Sequence, residues 1–112
     1  MRHGLHPLVL LMLVFLSGCG LTVEEQAMKT KCAWLVNQRA TTNAVIEAFG
    51  AAPKYTYTRS QALEYLQQQG GEFWKRMSQH PLTYSFPMYS GDVLISFDDS
   101  GKAAAYYLNI QL

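Results

Sequence analysis

Nine consecutive apolar residues, Leu8–Leu16, follow the first seven residues, and after them the apolar positions scatter into short, separately spaced groups. Thr41 to Gly50 carries a helix signal. Thr41 or Thr42 supplies an N-cap oxygen, Val45, Ile46 and Phe49 share one face, and Gly50 suits the left-handed residue that ends a helix. Pro53 then blocks continuation. Tyr55 and Tyr57 alternate with Thr56 and Thr58, the pattern of a short extended piece. Thr58 and Gln61 have capping-box spacing, and Leu63, Leu66, Phe73, Trp74 and Met77 follow near helical spacing. Gly70-Gly71 interrupts them; two glycines cost a continuous helix roughly 2 kcal/mol, which predicts a break.

The last third alternates with period two. Tyr84, Phe86 and Met88 form one apolar series, with Pro87 pointing to an edge position or a bulge. Val93, Ile95 and Phe97 form a second, and Asp98-Asp99-Ser100-Gly101 reads as a turn. Ala104, Tyr106, Leu108, Ile110 and Leu112 make the third, opposite Ala105, Tyr107, Asn109 and Gln111. The segment Ala33–Val36 fits a strand or the end of a helix equally well. Residues 20–31 are polar without a clear period and read as a tether leading into a first helix. The expectation is an α+β domain with two to three helices packed on a three-stranded antiparallel sheet.

The N-terminus sets the address. A basic head (Arg2, His3, His6), the apolar run and the small-residue exit Ser17-Gly18-Cys19 have the layout of a secretory signal. Nine helical residues span only ~14 Å, less than half of a ~30 Å hydrocarbon core, so a permanent membrane span is not expected. Cys19 has plainer readings, incidental in an ordinary signal peptide or in a disulfide with Cys32. Leu16-Ser17-Gly18-Cys19, however, resembles the lipobox of bacterial lipoproteins. The resemblance implies removal of residues 1–18, diacylglycerol on the Cys19 sulfur and an acylated (palmitate-bearing) new amino terminus. Gly20, in place of Asp, implies the outer membrane with the domain facing the periplasm. The domain reading is then a signal over 1–18, a lipidated tether over 19–31, and one domain over 32–112. Cys32 becomes the remaining thiol, either buried in its apolar run or held in an intermolecular disulfide.

Charge narrows the function classes. The chain has nine Lys/Arg and eight Asp/Glu, and with Arg2 removed the balance is zero. No stretch concentrates Lys or Arg, which argues against nucleic acid as a partner. Asp92, Asp98 and Asp99 lack the spacing of a calcium loop, and no metal or cofactor is expected. His80 is the mature chain's single histidine, and no nucleophile motif accompanies it, so no catalytic residue is assigned. Glu64 and Glu72 read as a solvated face. Seven tyrosines exceed the needs of one small core; Tyr84, Phe86, Tyr89 and Tyr107 are the candidate interaction surface.

From Thr41 on, the order of signals resembles the SmpA/BamE family of small outer-membrane lipoproteins. The residues that carry it are Thr41 to Val45, Phe49-Gly50-Ala51-Ala52-Pro53, and Val93 to Gly101 with its Phe97-Asp98. Gly50 and Pro53 stand one residue further apart than in the family. Its first-strand Trp-x-Tyr has no equivalent, and Ser60–Pro81 reads as an insertion. The resemblance implies an ααβββ module that binds an envelope protein in outer-membrane assembly or maintenance, without enzymatic activity. The alternative is a small periplasmic inhibitor of the lysozyme- or beta-lactamase-inhibitor type, whose plug would lie in the 78–92 loop.

Overall fold

Three of the four helices in the computed structural model, which describes residues 22–110, start at a threonine that caps them. Helix α1 (Val23–Asn37) begins at Thr22. The Thr22 hydroxyl accepts the Glu25 N–H, and the Glu25 carboxylate accepts the Thr22 N–H, a complete capping box. Helix α2 (Thr42–Phe49) is capped by the Thr41 hydroxyl and ends at Gly50, whose φ is 73°. Strand β1 (Tyr55–Thr58) leads into α3 (Arg59–Gln69) through a Thr58/Gln61 capping box. Gly70 and Gly71, at φ 70° and 100°, break the chain before α4 (Glu72–Met77). Then come β2 (Leu82–Met88), β3 (Gly91–Phe97) and β4 (Ala103–Ile110).

The strands form one antiparallel sheet in the order β1-β2-β3-β4. Register places Tyr84 opposite Ile95 and Ile95 opposite Tyr106, so these three share a face. That face, with Phe86, Val93, Phe97 and Ala103, packs on Cys32 and Leu35 of α1 and Val45 of α2. The opposite face carries Leu94, which packs with Ala62 of α3 and Met77 of α4. The sheet is therefore covered by helices on both sides.

The α+β class stands as expected, but the sheet has four strands among the described residues, not three, and there are four helices. The extended piece Tyr55–Thr58 pairs with Leu82–Ser85 and becomes the extra strand. Residues 60–81, expected as an insertion, are the helices that cover the second face. Residues 23–31, expected as tether, are the first turns of α1; their inner positions are Glu25 and Met28, so a polar residue hid the helical period. Ala33–Val36 is helix. Ala104 faces outward because pairing slips at Ser96/Phe97, turning Ala103 to the core instead. Pro87 lies in an interior strand, yet past the last residue that β1 pairs, so the missing N–H costs no ladder bond to β1.

Both ends of α1 are tied to the C-terminal hairpins. At its start the Glu24 carboxylate accepts the Tyr89 N–H at 2.9 and 3.1 Å, and Glu25 accepts the Ser90 hydroxyl at 2.8 Å. At its end Arg39 meets Asp98 at 2.7 Å. Helix α1 thus runs in the same direction as β3, from the β2–β3 turn to the β3–β4 turn. Among the described residues no helix is long and apolar enough to cross a membrane.

Candidate interaction surface

The four expected surface residues do not meet. Phe86 is only 2% exposed and stacks on Phe49 at 4.1 Å between ring centroids, because its strand position faces α1 and α2. Tyr84 lies on the same side, edge-on to Phe97 at 4.9 Å, and is core packing. Tyr107 is on the opposite face, against Phe73 at 5.4 Å. Tyr89 sits in the β2–β3 turn, 96% exposed. Strand alternation explains the separation: even positions of β2 point to α1 and α2, whereas odd position 107 points to α3 and α4. The lipobox residues Leu16, Ser17, Gly18 and Cys19 lie outside the described residues.

A different group of aromatics does come together. Tyr65 of α3 stacks on Trp74 of α4 at 4.4 Å, and Tyr57 of β1 meets Trp74 edge-on at 5.4 Å. Tyr55 extends the row at one end, and Phe73 and Tyr107 extend it at the other. Cations cap both ends, Lys54 over the Tyr55 ring at 5.3 Å and Arg76 over the Tyr107 ring at 5.4 Å. Tyr55, Leu63 and Tyr65 are exposed. The band crosses from the outer edge of β1 to β4, and burial raises the Tyr57 hydroxyl pKa, keeping it a neutral donor. The period-two signal in Tyr55 and Tyr57 was legible in the sequence. Its meeting with Tyr65 and Trp74 was not, because only the Gly70-Gly71 break folds α4 back beside α3.

Beside the band, α4 and β4 enclose a cleft of about 260 Å³ lined by Glu72, Arg76, His80, Ser96 and Tyr107. Burial lowers the His80 pKa, with Arg59 adding to the effect and Asp98 opposing it, so the imidazole is neutral at neutral pH. Ser96 is no free nucleophile: its hydroxyl is bonded to Thr83 at 2.8 Å and approaches the Met77 sulfur at 3.8 Å. Glu72 pairs with Arg76 at 3.8 Å across one exposed turn of α4. The Asp98 carboxylate accepts Ser100 Oγ, Ser100 N and Lys102 N, which hold its pKa low. Among the described residues no three His, Cys, Asp or Glu side chains gather as a metal site.

Cys32 is fully buried in the core beneath α1, and burial pushes its thiol up to about 12. The intermolecular disulfide is disfavoured by that position. In mildly alkaline buffer, iodoacetamide is expected to leave native Cys32 unmodified and to alkylate it in urea, read by intact mass.

Comparison with protein-family models, with characterised proteins and with solved structures found no match to this chain.

Proposed function

We propose that this chain is a lipid-anchored envelope protein, held at Cys19 in the outer membrane and facing the periplasm, whose domain is a non-enzymatic module for binding another envelope protein. The observation that carries the binding reading is the aromatic band of β1, α3 and α4. Tyr and Trp give large contact area with a polar tip, and such residues dominate the energetics of protein interfaces. Strand β1 adds an edge that is unpaired among the described residues, on which a partner's strand can add. The signal layout and Leu16-Ser17-Gly18-Cys19 support the anchor.

The SmpA/BamE-like reading belongs to the same proposal. With β1, α3 and α4 set aside, the order is α1, α2, β2, β3, β4, the ααβββ order of that resemblance. A role in outer-membrane assembly or maintenance follows from it. The inhibitor reading has one observation in its favour: Tyr89 projects from a tight turn braced by Glu24, as a plug would.

The test is photo-crosslinking of the full lipidated chain in its own envelope, with the reactive group at Tyr55, Tyr65 or Tyr89. One envelope protein captured from both Tyr55 and Tyr65, and lost in Tyr65→Ser, is the expected result. Capture of a soluble hydrolase from Tyr89 alone would replace it with the inhibitor reading.

A further inference from the structure

We infer that the end of the domain carrying Val23 and Tyr89 rests on the lipid headgroups, so that the domain stands on the bilayer with the β3–β4 turn pointing away. The inference rests on the lipid anchor proposed above. Its argument begins with chain length. Only Gly20 and Leu21 separate Cys19 from Thr22, and three Cα–Cα steps reach at most ~11 Å. Helix α1 is already capped at Thr22, so no slack remains beyond it. A headgroup layer is itself ~5–8 Å deep. A lipidated Cys19 therefore brings the start of α1 to the membrane surface.

What else sits there is fixed by the ties at the start of α1. Glu24 holds the Tyr89 N–H and Glu25 holds the Ser90 hydroxyl, so the β2–β3 turn lies beside Val23. Val23 is 66% exposed, and Tyr89 is the most exposed large apolar side chain among the described residues. A tyrosine with an apolar ring and a polar tip suits the headgroup level. The acidic side chains at this end do not oppose the contact as free charges. Both carboxylates bind protein donors, and the positive end of the α1 dipole lies beneath them. At the far end of the 15-residue helix, ~22 Å away, Arg39 pairs with Asp98, next to the exposed Asp99 and Ser100.

The experiment uses the full lipidated chain in vesicles of phosphatidylethanolamine and phosphatidylglycerol containing a headgroup-nitroxide lipid. Tyr89→Cys and Asp99→Cys each receive a fluorophore; both positions are exposed, and the buried Cys32 stays unlabelled. Quenching is expected to be roughly threefold or more stronger at Tyr89→Cys, given the ~22 Å separation along α1. A Gly/Ser insertion of ~20 residues before Thr22, spanning ~25 Å as a coil, is expected to erase that difference. Equal quenching in the uninserted chain, with lipid present by mass spectrometry, overturns the orientation and leaves the anchor standing. Absence of lipid mass and of vesicle binding overturns both. A Tyr89→Cys label indifferent to the quencher lipid but shielded by an added soluble hydrolase overturns the orientation in favour of the inhibitor reading.

Discussion

On the face of the sheet under α1 and α2, Phe86, Val93, Ile95 and Phe97 meet Cys32, Leu35 and Val45, and every one of them is buried. On the opposite face the same two strands present Thr83, Ser85, Leu94 and Ser96, and the cover is a layer of aromatic rings, several of them half-exposed. One side buries large apolar groups from water on both layers, which is where hydrophobic stabilisation accumulates. The other sets Leu94 among small polar residues on its floor and holds its aromatic rings nearer the surface. Under the proposed function this is a division of labour: the α1–α2 side holds the fold, and the α3–α4 side is the one proposed to offer contact.

Four substitutions break or sharpen that contrast. Phe86→Ala removes the ring stacked on Phe49 and should cost about 3–5 kcal/mol in urea unfolding. A loss below about 0.5 kcal/mol, the range of a surface position, would remove the distinction between the faces. Thr83→Val leaves the buried Ser96 hydroxyl without its partner and should cost about 1–3 kcal/mol. Adding Ser96→Ala should restore most of that loss, since no buried group is then orphaned; a simply additive double variant would contradict the pairing. Tyr65→Ser should cost about 1 kcal/mol through the lost Trp74 stack while abolishing crosslinking to the partner. Stability and binding falling together across both faces would argue against separate roles.

The smallest effect is with pH. His80 has a lowered pKa in the folded chain, so the unfolded chain binds the proton more readily. Its contribution is present above the ordinary value of 6.5 and is lost as pH falls through the folded value. Stability should therefore rise with pH across that window, and His80→Gln should flatten the rise in thermal melts. An unchanged slope would remove His80 from the account.

The two faces also differ in how far they could be read from residues alone. Thr41, Gly50, Thr58 with Gln61, and Gly70-Gly71 act through local backbone chemistry, and each appears where its residue type places it. The period-two strands were equally legible, because alternation marks a sheet face directly. Three things depended on distant partners. Tyr55–Thr58 needed β2 to become a strand, and α3 with α4 needed a second sheet face to cover. The outward turn of Ala104 needed the pairing slip opposite Phe97. The four candidate surface residues lie apart for the same reason: tyrosine count says nothing about facing, and Phe86 and Tyr84 pack with the core series.

Helix α1 also carries a consequence for the order of events during synthesis. Its ties to Tyr89, Ser90 and Asp98 span between 59 and 65 residues of chain. The first helix made has no docking surface until the last hairpins exist, and contacts of such long range form late and slowly. A chain with this connectivity leaves the ribosome still open. The same ties that hold the finished domain together thus delay its completion until the last hairpin has been made.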